Sequence, residues 1–394
     1  MPKVIIPSQQ TERPVARFPS LASSGQRDFI VGNDIMLFDG SMVPASPLFA
    51  AAIGERSLGK PDGRFHFIRP KAFADASGRL HVVWGEPTAA PEAISTLDWP
   101  PEPITALWTA AYEDSKGWTR LERLILRSAI SWGDASSHQS RPSRSEGFGE
   151  RSRVQWMLAV PTVGGSLDQP ILILWLDRNG WHTSSVSTQG SGNALYPSVT
   201  ISDTEVTLAY IAANVGASHD QNSVFVRRST DSGEHWGPAK LVSLSGTHPA
   251  FEAQLLHGGG ATVHLIWLQQ DATDDVSVLR HVISLDRGET WSSPTDLGPP
   301  AKRQSLRGVV DACQTLHVVV ENLNSGADAR GLEYASWRGS WSTMSRPFPS
   351  LVSVGPDLRL GVSGMPLVAF LARPRSAPAA SPMITLISGL EPRR

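Results

Sequence analysis

Two octets of the form S-x-D-x-G-x-x-W, STDSGEHW at Ser229–Trp236 and SLDRGETW at Ser284–Trp291, stand 55 residues apart in the chain. A motif that returns at such an interval marks a supersecondary unit used more than once, and it restricts the fold more than any composition does. Short apolar runs repeat on a matching period. GRLHVVWGE (78–86), ATVHLIWLQ (261–269) and QTLHVVVEN (314–322) are nearly interchangeable. VQWML (154–158), VTLAY (206–210) and PLVAF (366–370) are weaker versions. Their last large residues are Trp84, Leu158, Tyr210, Trp267, Val320 and Phe370, with intervals of 52, 57, 53 and 50 after Leu158. The first interval, 74, carries an insertion.

Each run is followed by a second apolar segment and a polar turn ending in Trp, clearest in VFVRRSTDSGEHW and RHVISLDRGETW. LILWLDRNGW, LWTAAYEDSKGW and LEYASWRGSW are shortened forms. No segment between them keeps a 3.6-residue apolar period. Four short strands per unit of about 50 residues predict an all-β chain, a β-propeller of four-stranded antiparallel blades. FPSL occurs at Phe18–Leu21 and again at Phe348–Leu351, which makes the N-terminal segment a blade in its own right. Seven blades are therefore preferred over six, in a single domain spanning 1–394. The blades fall at about 17–60, 65–130, 140–190, 195–245, 248–300, 304–345 and 348–390. The last has room for three strands, and Lys3–Ile6 is expected to supply its fourth and close the ring.

The octet has a structural rationale. An Asp in a tight hairpin accepts hydrogen bonds from N–H groups of its own turn. Gly supplies a positive φ, Ser ties the strand end, and Trp folds onto the blade. Asp231, Asp286, Gly233 and Gly288 are thus read as turn residues. A calcium loop would need several more oxygen ligands than either octet offers.

These octets resemble the Asp-box, or BNR repeat, of the sialidase-like propellers. Fragments at Glu113–Trp118, Asp177–Trp181 and Arg338–Trp341 match in part. The resemblance covers residue 65 onward and implies architecture more than activity, since such propellers include glycosidases, lyases, lectins and non-catalytic domains.

Composition excludes several classes. A net charge of −2 gives no general attraction to nucleic acid or acidic membranes. Cys313 is the single cysteine, so no intrachain disulfide and no cysteine zinc site can form. The apolar run Val4–Ile6 is too short for a signal-peptide core, and no stretch approaches the roughly 20 apolar residues of a membrane span. The expectation is a soluble, cytoplasmic protein without cofactor.

Propeller geometry sorts the polar residues. First strands begin, and second strands end, at the ligand face, while the octets join third to fourth strands on the opposite face. Arg69, Lys71, Tyr196, His248 and Arg307 stand at starts of first strands. Glu86, Asn214, Gln269, Glu321, Asn322 and Arg373 stand at ends of second strands. Cations and carboxylates converging near one axis predict a binding site, with an anionic ligand preferred. Two long segments are expected at the same face: Pro87–Pro103, carrying Trp99 among stiffening prolines, and the arginine-rich 134–153 as a lid. His81, His264 and His317 hold equivalent strand positions and are read as packing residues, so no metal is expected.

The family resemblance would imply an arginine triad, a tyrosine–glutamate nucleophile and an aspartate acid. FIRP at Phe67–Pro70 has the letters of the family's first arginine motif in another order. Arg69, Arg307 and Arg373 are triad candidates, and Tyr196 is the tyrosine that begins a first strand. Other glycosidases need two carboxylates, for which Glu86 and Glu321 are best placed. A lyase would use Tyr196 or His248 as base beside Lys71 and Arg307. The reading is a sialidase-like propeller acting on or recognising a glycan or other anionic small molecule. A non-catalytic lectin-like or scaffold propeller is the alternative.

Overall fold

The apolar runs are realised as strands, and no helix occurs among the described residues. The computed structural model of the chain describes residues 3–5, 20–23, 28–31, 35–37, 68–75, 79–85, 104–113, 115–119, 122–131, 136–139, 156–163, 168–177, 179–188, 192–202, 204–213, 222–243, 248–271, 276–323, 330–377 and 383–388. They divide into two compact units. One comprises 1–133, 326–332 and 346–391, the other 134–325, 333–345 and 392–394.

The second unit is a succession of antiparallel sheets, with one short parallel pair between Asp168–Gln169 and Gly192–Asn193. The first is Ser136–Gln139, Trp156–Pro161, Ile171–Asp177 and Gly180–Val186. Leu195–Ser202, Glu205–Ala213, Asn222–Ser229 and Lys240–Leu241 form the next, followed by Ala250–Gly259, Thr262–Gln270, Ser277–Ser284 and Thr295–Ala301. The last is three-stranded, Arg303–Val310, Leu316–Asn322 and Gly331–Trp337, with the bridges Tyr334–Ser345 and Trp337–Trp341 where a fourth strand would lie. Strand order equals chain order within each sheet.

The second strands read as unbroken apolar runs because both their faces are covered. Met157, Ile171 and Ile173 share a core with Val199, Ile201 and Tyr210. Ile211 and Val224 share the next with Leu265 and Trp267, and Ile266 and Leu268 share another with Val318 and Val320. Each such burial contributes about 1.5–3 kcal/mol, so adjacent sheets of this unit stabilise one another.

The unit of 1–133, 326–332 and 346–391 has the same construction. Ser20–Ser23, Asp28–Val31 and Ile35–Leu37 form a three-stranded sheet. In another, Ile68–Ala74, Leu80–Gly85 and Ile104–Glu113 are extended by both Gly117–Trp118 and Glu122–Ile130 on the last strand. Leu351–Leu360, Pro366–Pro374 and Met383–Ser388 receive Lys3–Ile5 as their fourth strand, with Lys3 opposite Ser388. That pairing is the one anticipated for the N-terminal residues. Among the described residues two sheets are three-stranded and one is five-stranded where four strands were expected, and the segment 134–153 carries the strand Ser136–Gln139, paired with Trp156–Pro161.

Five first strands share a defect. Register slips between Leu195 and Ser198, Phe251 and Gln254, Gln304 and Arg307, Ile68 and Lys71, and Val354 and Asp357. Two residues there oppose one, a β-bulge. The single opposing residues are Tyr210, Trp267, Val320, Trp84 and Phe370, the large residues that set the sequence period. In four bulges the leading residue is left-handed: Tyr196 (φ 47°), Glu252 (52°), Ser305 (57°) and Gly355 (62°). Only the last is the residue type that adopts this conformation without strain.

The octets close on themselves. Ser229 Oγ donates to Asp231 Oδ1 (2.7 Å) and accepts Gly233 N–H (2.9 Å), while Asp231 Oδ1 accepts His235 N–H (2.9 Å). Ser284, Gly288, Asp286 and Thr290 repeat the pattern at 2.7, 2.7 and 2.8 Å. Gly233 and Gly288 have φ of 93° and 85°. Hydrogen bonds from His235 N–H and from Ser229 hold the Asp231 carboxyl at about 2. At Asp286, burial pushes upward, but Thr290 and Ser284 outweigh it and the group also lies at about 2. Each octet also docks on the preceding sheet, through Ser184 Oγ to Gly233 O (3.2 Å) and Thr207 Oγ1 to Arg287 O (3.3 Å). Asp286→Ala is expected to lower stability by about 1 kcal/mol in urea unfolding.

Candidate functional site

The octets identify the two ends of each sheet in the second unit. Ser232 N–H bonds Thr204 O (2.7 Å) and Arg287 N–H bonds Ala261 O (2.8 Å), so octets and first hairpins share one end. That end is occupied by turns. The other end carries the bulges, with Tyr196, Glu252 and Ser305 on first strands, and the termini of second strands, with Gln269, Glu321 and Asn322. This is the end anticipated for ligand.

Side chains at the bulges tie consecutive first strands together. Ser198 Oγ accepts Leu255 N–H (2.8 Å), Gln254 Oε1 accepts Gly308 N–H (2.7 Å), and Glu252 Oε2 accepts Leu306 N–H (2.6 Å). In the other unit, Asp357 Oδ2 accepts Leu21 N–H (2.7 Å). Ser198, Gln254 and Asp357 occupy one equivalent position, immediately after the bulge. Arg307 and Lys71 occupy it too, but each is a donor with no acceptor atom and cannot make that link. Arg307 instead donates Nη1 to Leu306 O at 2.7 Å.

Several residues anticipated at the site are engaged within the fold. Gln269 is buried, donates to His248 O and accepts from Trp267 Nε1 (3.1 Å). Asn322 is buried and donates to Glu333 Oε1 (2.6 Å). His248 is exposed, while Tyr196, Lys71, Arg307 and Arg373 are half-buried. Glu321 is buried. Arg69 lies on the strand Ile68–Ala74, whose register slips beside it. Glu86, Asn214 and Trp99, the segment 87–103 and residues 140–153 of the expected lid lie outside the described residues.

Sequence reasoning passed over three residues. Glu252 reads as an ordinary strand residue in HPAFEAQ, and only its left-handed backbone marks it. Arg303 and Glu333 form a buried pair, Nε to Oε2 at 2.9 Å, with no motif to announce them.

The histidines serve packing. His81 Nε2 lies 3.3 Å from Asp75 and His317 Nε2 lies 3.2 Å from Asp311, at equivalent hairpins. Burial lowers the His317 imidazole against the pull of Asp311. His264 Nδ1 lies 3.0 Å from His281 Nε2 in the buried core. Asp231, Glu234 and His235 cluster closely enough to hold a metal ion, but Asp231 is already committed to its own turn, with His235 Nδ1 at 2.6 Å from its second oxygen.

No family model matches this sequence, and no curated protein matches it. Solved structures do resemble the fold. An α-L-arabinanase of Penicillium chrysogenum in complex with arabinobiose shares 13% identity, 82% of this chain, 93% of its own and a TM-score of 0.51. A mutant α-L-arabinofuranosidase of Fusarium graminearum with an iminosugar inhibitor shares 11% identity over 82% of this chain and 92% of its own, at 0.53. A protein of unknown function from Dyadobacter fermentans shares 12% identity over 83% and 95%, at 0.52. At these identities the likeness shows the fold, an all-β propeller.

Proposed function

We propose that the chain is a carbohydrate-active propeller of glycoside-hydrolase type that takes a glycan at the bulged end of its sheets. The observation that carries this reading is the division of labour between the two ends of the second unit. One end is consumed by octet turns, whereas the other presents Tyr196, Glu252, His248 and Arg307 beside the second-strand terminus with Glu321. Neighbours of the same fold act on arabinose-containing substrates, and one was captured with arabinobiose, which makes a pentose glycan the first to try. Glycosidic hydrolysis requires two carboxyl groups flanking the bond, and Glu252 and Glu321 are candidates for them among the described residues at this end of the unit. The octets are read as Asp-boxes of the sialidase-like kind and the sheets as seven blades.

A lectin-like reading is the second choice. It is favoured by the commitment of Gln269 and Asn322 to internal hydrogen bonds, which leaves fewer polar groups for substrate.

Incubation with arabinan, arabinobiose, neutral oligosaccharides, uronates and a sialoside separates the two. The hydrolase reading expects new reducing ends from at least one glycan, and a loss of about 100-fold or more in Glu321→Gln with its melting temperature unchanged. Saturable binding without release gives the lectin. Neither release nor binding overturns both.

A further inference from the structure

We infer that Glu252 and Arg307 form a two-sided clamp for a neutral, hydroxyl-rich sugar, anchored on the backbone of Leu306. The inference rests on the glycan reading above and fixes its ligand class.

The bulge places Leu306 between the two charged groups. Its N–H is accepted by Glu252 Oε2 at 2.6 Å, and its carbonyl accepts Arg307 Nη1 at 2.7 Å. The backbone of one buried residue therefore anchors a carboxylate through one oxygen and a guanidinium through one nitrogen. Oε1 of Glu252 and the remaining guanidinium donors are not used by these bonds. Both side chains are only half-buried.

Two features of these positions point to a ligand, the left-handed backbone being one that Tyr196 and Ser305 share. Glu252 holds φ of 52°, a conformation that strains a non-glycine residue and that the equivalent Gly355 adopts without strain. A glycine would spare the strain at this position, but it would supply no carboxylate. Arg307 stands where Ser198 and Gln254 link first strands, and it cannot make their bond. Glu252 brings a carboxylate to a strained backbone position, and Arg307 puts a cation where a strand-linking acceptor stands elsewhere, both at the same end of the sheet.

Opposite charges anchored on the backbone of one residue set the specificity. A uronate or sialate carboxylate brought to Arg307 would also meet Glu252, and the repulsion would offset the attraction. A sugar hydroxyl pair suits both groups, since one hydroxyl donates to the carboxylate and another accepts from the guanidinium. The anionic ligand expected from the cations alone is thereby replaced by a neutral one.

Calorimetric titration of the full chain tests the clamp with arabinobiose, arabinan oligosaccharides, xylobiose and cellobiose as neutral probes. A uronic-acid disaccharide and sialyllactose are the acidic ones. Glu252→Gln keeps an acceptor for Leu306 N–H, and Arg307→Gln removes the cation. Wild type should bind at least one neutral probe more tightly than either acidic one. Each variant should bind it about tenfold more weakly with an unchanged melting temperature, and Glu252→Gln should gain affinity for the acidic probes. Wild-type preference for an acidic probe, or variants that bind neutral sugar as wild type does, would overturn the clamp and leave the glycan reading standing. Wild type that binds no sugar overturns both. If Glu252→Gln fails to fold, the same comparison is decided with Arg307→Gln.

Discussion

Replacing Glu333 with alanine is expected to lower the unfolding free energy by about 3–5 kcal/mol, the cost of leaving a buried charge without its partner. The Arg303 side chain is 1% exposed. Its Nε meets Glu333 Oε2 at 2.9 Å, and Nη1 donates to Ser277 O (3.2 Å) and Pro299 O (2.8 Å). Glu333 Oε1 in turn accepts Asn322 Nδ2 at 2.6 Å. Truncation removes the carboxylate that meets Arg303, and the carbonyl dipoles of Ser277 and Pro299 do not replace a full negative charge. Glu333→Gln, which keeps an acceptor, should fall between wild type and alanine. The double variant Arg303→Met, Glu333→Leu removes both charges and should recover most of the loss. Denaturant unfolding of the four proteins measures the series. A Glu333→Ala protein as stable as wild type would show that solvent reaches Arg303.

Acidification should act through a different pair. His264 and His281 stack with ring centroids 5.2 Å apart, flanked by Trp337, and Trp341 meets His281 edge-on. Burial, with repulsion from neighbouring imidazoles, holds His264 at about 4 and His281 at about 3. Both lie below the 6.5 of an exposed histidine. The unfolded chain therefore binds protons that the folded pair refuses. Stability is complete above about pH 6.5 and declines as the pH falls from there towards 4 and then 3, by up to about 1.4 kcal/mol per pH unit for each histidine. His281→Phe should roughly halve that slope between pH 6 and 4, as read from urea midpoints. The octet carboxylates contribute in a lower window. Their depressed values hold stability above about pH 4 that is lost as the pH approaches 2.

Much of the architecture was legible because it is written in side chains that repeat. Trp84, Tyr210, Trp267, Val320 and Phe370 mark the strand period because each must face a bulge and fill the space between sheets. The octets were legible for a similar reason. A left-handed glycine and an aspartate facing its own turn leave little choice of residue. The site was less legible. Glu252 and Ser305 adopt a left-handed backbone that neither residue type announces, since the neighbouring strands impose it. Gln269 and Asn322 look available in the sequence because strand ends are usually open. Partners far along the chain, the His248 carbonyl and Glu333, take up their amides. No local pattern could have revealed Arg303 with Glu333, thirty residues apart, because only the sheet brings them together.

The left-handed leading residues have a consequence for engineering. Tyr196, Ser305 and Gly355 share one backbone state on separate first strands, so they are sockets whose occupants can be exchanged while the register around them stays fixed. Saturation libraries at Tyr196 and Ser305 would vary the bulged end of the second unit, and glycine is the unstrained reference at both.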